Sequence, residues 1–173
     1  MRLLRPVEVP GLPRVPGMLA LAALRFPRLV PVRLRWHAAT RGTGFLVSRL
    51  LQSGDDAGAV LRAVGEEQGR AIADQLGYGR DPHEVARVVA MANRLYDIRA
   101  RVHARSPTES VVETPGCPWS REPWWGAKPC ACFSQYEVGL TAGLNPRVQL
   151  RYESKRTRGD DRCVGVYSWR PRA

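Results

Sequence analysis

The hydrophobic pattern of this 173-residue chain changes its period near residue 95, and that change limits the possible folds more than any other feature. Before it, apolar residues recur about every 3.6 positions, as they do on one face of a helix. After it, apolar and polar residues alternate from Tyr96 to His103, which predicts a half-buried strand. The segment Glu109 to Thr114 predicts a second strand, returning after a turn at Ser106-Pro107-Thr108. Helices followed by hairpins predict an α+β domain with an antiparallel sheet.

Two helices with recognisable ends precede the change of period. The first is predicted to begin after a cap at Asp55 or Asp56 and to end at Gly77. The second is predicted to begin at Asp81-Pro82, with Glu84 completing a capping box. A weaker helical pattern runs from Trp36 to Leu51. We expect the first helix to bury Ala57, Val60, Leu61, Val64, Ala71, Ile72 and Leu76, and the second Val85, Val88, Val89 and Ala92.

Residues 1–35 contain six prolines and predict an irregular arm ahead of a single domain over residues 36–173. Residues 1–52 hold nine Arg and one acid, so they carry +8 of the formal net charge of +11. Such an arm can bind nucleic acid or anionic lipid, but no nucleic-acid signature accompanies it. A solvated Arg-rich tail is therefore the preferred interpretation, and nucleic acid is an unlikely partner. No apolar run approaches the ~20 residues of a membrane span.

The last third of the chain contains all four cysteines and a predicted helix between two hairpins. Cys130, Phe133, Glu137, Leu140 and Leu144 fall on one face of that helix, and Val148 to Tyr152 and Cys163 to Trp169 predict the second hairpin. A carboxylate on an apolar face is costly unless it is paired, hydrogen-bonded or protonated. Glu137 is therefore a general acid/base in a pocket or the partner of an Arg such as Arg99 or Arg151. Otherwise it is a partly exposed residue at the edge of the face.

The cysteines permit three interpretations, which the sequence leaves open. Cys117, Cys130, Cys132 and Cys163 could hold zinc, although the spacing C-x12-C-x-C-x30-C lacks paired C-x2-C knuckles. Cys130 or Cys132 could instead be a nucleophile whose pKa is lowered by a helix N-terminus. The third interpretation makes them small apolar side chains in the core. Four cysteines without a convincing signal peptide predict a reducing, cytoplasmic compartment.

Four short motifs resemble a known family over about residues 57–169. They are Gly116-Cys117-Pro118-Trp119, Cys130-Ala131-Cys132, Gly139-Leu140-Thr141-Ala142-Gly143-Leu144-Asn145-Pro146 and Gly159-Asp160-Asp161-Arg162-Cys163. Together they look like the L-2-amino-thiazoline-4-carboxylic acid hydrolase-like family and, more widely, the 4-vinyl reductase type of small-molecule-binding domain. The resemblance implies a ligand site between helices and a curved sheet. It also implies opening of a thiazoline C=N ring by water, with Glu137 as the base and a cysteine or Arg as the donor.

The resulting prediction is a cytoplasmic small-molecule hydrolase that opens a strained or C=N-containing heterocycle without a cofactor. Assembly into a homo-oligomer is compatible with this prediction. The predicted catalytic residues are Glu137, Cys130 and Cys132, and the predicted ligand contacts are Cys117, Trp119, Tyr136, Cys163 and His103. The alternative is a non-catalytic sensor domain that binds a ligand, or holds zinc through the four cysteines. A weaker alternative is a nucleic-acid-associated protein that uses its basic arm.

Overall fold

The computed structural model describes residues 30–52 and 56–171. Its elements, in chain order, are helices α1 (Val32–Gln52), α2 (Ala57–Leu76) and α3 (Pro82–Arg94), strands β1 (Arg101–Ser106) and β2 (Glu109–Thr114), helix α4 (Ala127–Leu144), and strands β3 (Val148–Ser154) and β4 (Cys163–Trp169). The strands form one antiparallel sheet in the order β1-β2-β4-β3. The two predicted hairpins therefore join through β2 and β4, with α4 between them in sequence. The α+β prediction is confirmed.

The predicted caps at Asp56, Gly77 and Asp81 are confirmed, but the capping box predicted for Glu84 is not formed. The Asp56 side chain accepts a hydrogen bond from Ala59 N at 3.1 Å, and Gly77 ends α2 with a left-handed φ of 65°. The Asp81 side chain accepts from the backbone N–H groups of His83 and Glu84, each at 2.8 Å. The Glu84 carboxylate accepts from the two backbone N–H groups just before the cap, so it closes the loop that enters α3.

Two predicted boundaries are wrong: the start of the first strand and the start of the first helix. In both cases the hydrogen bonding of the backbone N–H groups explains the difference. The strand predicted from Tyr96 begins only at Arg101, because the chain first turns at the end of α3. There the N–H groups of Tyr96 and Ile98 both donate to Asn93 O, and Asp97 has a φ of 56°. At the other boundary, α1 begins at Val32, inside the predicted arm. A proline directly before a helix does not interrupt it, since the missing donor would be unpaired there.

Helices α2 and α4 touch through their backbones. A Cβ atom added at Gly139 of α4 would lie 2.0 Å from Arg62 O, and one added at Gly65 of α2 would lie 2.2 Å from Tyr136 O. Gly69 and Gly143 make equally close approaches one turn further along. No side chain larger than hydrogen fits at these four positions, so the glycines set the distance between the two helices.

This contact corrects the predicted buried face of α2. The face that is buried contains Ala57, Gly65 and Gly69. By contrast, Val60 and Val64 are 61% and 40% exposed, and Ala71 and Leu76 are exposed as well. The prediction assumed that α2 packs through its large apolar side chains. Instead, α2 packs against α4 through the face that contains Gly65 and Gly69.

The core has two parts that meet beneath α4. The first packs α3 and α4 on the sheet, and its fully buried members include Val85, Leu140, Val148 and Tyr167. The second is an aromatic cluster around Trp119, Trp125 and Phe133, which Val47 of α1 covers. Edge-to-face ring pairs hold this cluster, with centroids 4.9 Å apart for Trp119 and Phe133. A small cavity remains where the two parts meet.

Candidate functional site

The cavity has a volume of about 70 Å³ and lies between the inner face of α4 and strands β2 and β4. Its walls are largely aromatic, and they include Trp119, Trp125, Phe133, Tyr152 and Tyr167. Eight groups that can hydrogen-bond or react also line it: Asn93, Thr114, Cys117, Cys130, Ser134, Glu137, Lys155 and Cys163. A small, mostly apolar space with a few polar groups is the usual form of a small-molecule site.

Several of the residues that line the cavity lie on one face of α4 and one face of β4. Cys130, Phe133 and Glu137 all line the cavity, so they share one face of α4, as predicted. On β4, alternation turns Cys163, Gly165 and Tyr167 to the cavity side. Helix and strand therefore bring together residues that are more than 25 positions apart in sequence.

Glu137 is the carboxyl group of the cavity. Burial raises its pKa, whereas a hydrogen bond from the Asn93 side chain and the positive charge of Lys155 act in the opposite direction. The predicted Arg partners are wrong, because Arg99 is exposed and Arg151 pairs with Glu153 at 3.0 Å. The carboxyl group therefore has weaker compensation for its burial than an Arg partner would give, and its pKa lies above the ordinary value for Glu.

Lys155 is the site residue that the sequence predictions missed. Its side chain is 7% exposed, its Nζ donates to Ser134 Oγ at 2.7 Å, and Nζ lies 3.9 Å from the centre of the Tyr152 ring. Burial lowers its pKa, and the charges of Cys130 and Glu137 act to raise it. One signal could have identified it: 25 of the 27 basic residues are Arg, and Lys155 is one of only two lysines.

The connection between β3 and β4 holds Lys155 in place. The backbone N–H of Lys155 donates to Asp160 Oδ2 at 2.7 Å, and that of Arg156 donates to Cys163 Sγ at 3.4 Å. Gly159 turns the chain with a φ of 98°. The Gly159-Asp160 motif that carried part of the family resemblance thus closes the loop that carries the buried amine.

Three of the four cysteines reach the cavity. Burial raises the pKa of Cys117 to about 11 and also raises the pKa of Cys163. Both thiols are therefore protonated near neutral pH, and neither has the thiolate character of an activated nucleophile. All four cysteines are free.

Cys132, which was predicted to be catalytic together with Cys130, lies on the opposite side of α4 and does not line the cavity. Residues two apart on a helix point about 200° apart, so Cys130 and Cys132 cannot both face one cavity. Cys132 is buried against the aromatic cluster instead. Burial, with a smaller contribution from the charge of Asp56, raises its pKa, where a helix N-terminus was expected to lower it.

This separation also bears on the zinc alternative. Within residues 30–52 and 56–171, no group of three or more His, Cys, Asp or Glu side chains is arranged to hold a metal ion. Cys117, Cys130 and Cys163 share a cavity, but the fourth thiol of a four-cysteine zinc site would have to come from the far side of the helix.

The three other predicted ligand contacts have different positions. Trp119 does line the cavity, and its Nε1 donates to Thr40 O of α1 at 2.8 Å. Tyr136 does not; its hydroxyl donates to Gln68 Oε1 on α2 at 2.6 Å. His103 is exposed on the edge strand β1, because alternation turns its neighbour Val102 toward the core. The structure therefore does not bring Tyr136 or His103 to the cavity.

Trp125 adds a donor that the sequence did not single out. Its ring is 8% exposed and lines the cavity, and its Nε1 has no hydrogen-bond partner among the described residues. A buried indole N–H without an acceptor costs about 1–3 kcal/mol. A ligand oxygen or nitrogen atom that reached this N–H would remove that cost.

The fold, but no family, is shown by comparison with known proteins. No protein-family model matches the chain, and no curated protein matches it. Among solved structures, the chain is similar to trafficking protein particle complex subunit 3 from Naegleria fowleri covalently bound to palmitic acid, with a TM-score of 0.58, 19% identity, and coverage of 80% of this chain and 97% of that one. It is also similar to an H-NOX domain from Shewanella oneidensis in the Fe(II)CO ligation state, with a TM-score of 0.50, 13% identity, and coverage of 90% and 91%. Separately, none of the described helices is long and apolar enough to cross a membrane.

Proposed function

We propose that the cavity is the substrate site of a small-molecule hydrolase that opens a compact C=N-containing ring of the thiazoline type. The observation that carries this proposal is that Glu137 and Lys155 line the same small cavity, with the pKa of each shifted toward its neutral form. Acid and base groups with shifted pKa values are suited to proton transfer near neutral pH. Such pairs concentrate at functional sites.

The reaction needs two proton transfers, and the cavity has a group for each. Water attacks the C=N carbon while the Glu137 carboxylate takes one of its protons, so a C–O bond forms and the C=N double bond becomes a single bond. The protonated Glu137 then gives that proton to the ring nitrogen. The remaining hydroxyl proton passes to the neutral amine of Lys155 as the C=O bond forms and the bond to the leaving ring atom breaks, and Lys155 gives this proton to the leaving atom, so the ring opens with a new thiol or amine group. The net change is the addition of one water molecule.

The size of the cavity restricts the substrate. Its volume of about 70 Å³ is well below the about 300–1,000 Å³ of sites for drug-sized ligands, so it suits the reactive edge of a small ring rather than a long chain. The palmitic acid bound to the Naegleria protein is therefore not the ligand we propose here. The Fe(II) of the H-NOX domain is not proposed either, because no histidine of the described residues lines this cavity.

The test is the Glu137→Gln variant, which keeps the shape of the side chain and removes the base. With 2-aminothiazoline-4-carboxylate as the first substrate, we expect kcat/KM to fall by about 10²–10⁴-fold. The matched control is Glu67→Gln on the exposed face of α2, which should leave kcat/KM unchanged. If Glu137→Gln is as active as the unmodified chain, with its fold intact by circular dichroism, Glu137 is not the base.

The second candidate is a non-catalytic sensor domain for a thiol-reactive ligand. It is favoured by the three thiols that line the cavity beside Lys155. The same preparation distinguishes the two functions. A sensor binds the ligand and protects Cys117, Cys130 and Cys163 from alkylation without consuming the ligand, whereas a hydrolase releases product. Both functions imply a small-molecule partner.

A further inference from the structure

We propose that Lys155 is a covalent capture site, and that its Nζ forms an imine with a small, neutral aldehyde that enters the cavity. The inference is independent of ring hydrolysis, since it needs only the unprotonated amine and a carbonyl compound. It rests on three observations: the setting of Nζ, the size of the cavity, and a lining that contains no guanidinium group from the described residues.

The setting of Nζ favours a nucleophilic amine. The side chain is 7% exposed, and among the described residues no carboxylate forms an ion pair with it. Its contacts are one hydroxyl group, Ser134 Oγ at 2.7 Å, and the face of the Tyr152 ring at 3.9 Å. An ammonium ion is costly to bury with so little compensation, and losing a proton removes that cost. Burial lowers the pKa of Lys155 accordingly. Desolvated lysines of this kind are those that form Schiff bases.

The lining selects the class of carbonyl compound. Within the part of the chain that the structure describes, no Arg lines the cavity, so the carboxylate of a keto acid would have no partner once the amine is consumed. A volume of about 70 Å³, well below the about 300–1,000 Å³ of sites for drug-sized ligands, favours a small aldehyde over a long-chain one. The unpaired Trp125 Nε1 is a donor within the same cavity for the oxygen of the first adduct.

The step balances with groups that are present. The Nζ lone pair attacks the carbonyl carbon, the C=O becomes a C–OH group, and Nζ loses one proton. The Glu137 carboxyl group, in its protonated form, gives a proton to the departing hydroxyl, and water leaves as the C=N bond forms. The remaining proton of Nζ returns to Glu137. Aldehyde and amine therefore give imine and water, with no oxidant or reductant.

The test uses the fact that the chain has two lysines, Lys128 and Lys155. Lys128 is exposed at the start of α4 and serves as the internal reference. Folded protein is incubated near neutral pH with propionaldehyde and cyanoborohydride, which reduces any imine to a stable secondary amine. Peptide mass spectrometry then gives the rate of labelling at each lysine. The Lys128→Arg variant leaves Lys155 as its only lysine, and the Lys155→Arg variant leaves Lys128.

We expect Lys155 to be labelled faster than Lys128, because burial lowers the pKa of Lys155 and leaves a larger fraction of free amine near neutral pH. Lys128→Arg should retain the fast label, Lys155→Arg should lose it, and unfolding in urea should abolish the difference between the lysines. Labelling of Lys155 at or below the rate of Lys128 would overturn the proposal. The test does not depend on Lys155→Arg folding, because the decisive rates come from the unmodified chain and Lys128→Arg. Ring hydrolysis is measured without aldehyde, so either proposal can fail alone.

Discussion

Replacement of Gly139 by Ala tests whether the backbone contact between α2 and α4 determines the position of the site. Gly139 is two residues after Glu137 on the helix that forms one wall of the cavity. Its added methyl group would lie 2.0 Å from Arg62 O and 2.8 Å from the carbonyl carbon of the same residue. Because the obstacle is backbone inside a helix, no rotamer change can relieve it.

The expected cost follows from that geometry. Real Cβ contacts essentially never fall below 3.0 Å, so the helices must separate by at least about 1 Å. A gap of 0.5–1 Å forfeits about a quarter to a half of the dispersion energy of the atoms involved. Overpacking costs about 1–3 kcal/mol, and a backbone clash belongs at the upper end. Alanine recovers about 1 kcal/mol of helix propensity. We therefore expect the free energy of unfolding to fall by about 2 kcal/mol and Tm by about 4–8 °C.

The assay is thermal and urea unfolding followed by circular dichroism, with Gly42→Ala as the control. Gly42 is also a helical glycine, in α1, but a Cβ atom there meets nothing within 4 Å. Gly42→Ala should therefore raise the free energy of unfolding by up to about 1 kcal/mol. If Gly139→Ala were as stable as Gly42→Ala, the close approach of α2 and α4 would not constrain the fold, and our explanation of the buried face of α2 would be refuted.

Three further predictions concern single contacts. Trp119→Phe removes the bond from Nε1 to Thr40 O and should lower the free energy of unfolding by at least about 1 kcal/mol in urea titrations, whereas Trp36→Phe, at a ring 49% exposed, should change it by less than about 0.5 kcal/mol. Hydrogen bonds from Arg80 and the backbone lower the pKa of Glu84 to about 2 from 4.5. The carboxylate therefore contributes to stability above about pH 4.5, and this contribution is lost as the pH falls toward 2. Glu84→Gln should flatten the dependence of the free energy of unfolding on pH in this range, and an unchanged slope would show that these hydrogen bonds do not stabilise the fold. Burial raises the pKa of Glu137, so its ionisation should reduce the free energy of unfolding as the pH rises above about 4.5. Above that pH, Glu137→Gln should therefore be more stable than the unmodified chain. Equal stability of the two proteins at all pH values would show that the carboxyl group is not buried in solution.

Much of the site could be predicted from local patterns. The capped ends of α2 and α3, the face of α4 with Cys130 and Glu137, and the alternation of β4 that turns Cys163 and Tyr167 inward all follow from helix and strand geometry. The helical offset between Cys130 and Cys132 was also readable, since two residues along a helix reverse the direction of a side chain. The prediction that grouped both cysteines overlooked that offset.

The remaining features depend on contacts between distant segments. Nothing near Lys155 in sequence places its amine against Ser134, 21 positions away, or beside Glu137 on a different element. Likewise, the exposure of Val60 and the burial of Gly65 on α2 follow from the approach of α4. A hydrophobic pattern identifies large apolar side chains, so it does not predict a contact between helices that is made through glycines.

The sequence by itself determined the helices, the two hairpins and the α+β class, because periodicity, caps and turns act over a few residues along the chain. Only the tertiary structure decided which groups share a cavity and which protonation states they favour. Burial shifts the pKa values of Glu137 and Lys155, and burial depends on how α4 packs against α2, α3 and the sheet. Desolvation is a property of the whole packed arrangement, so no short stretch of sequence encodes it.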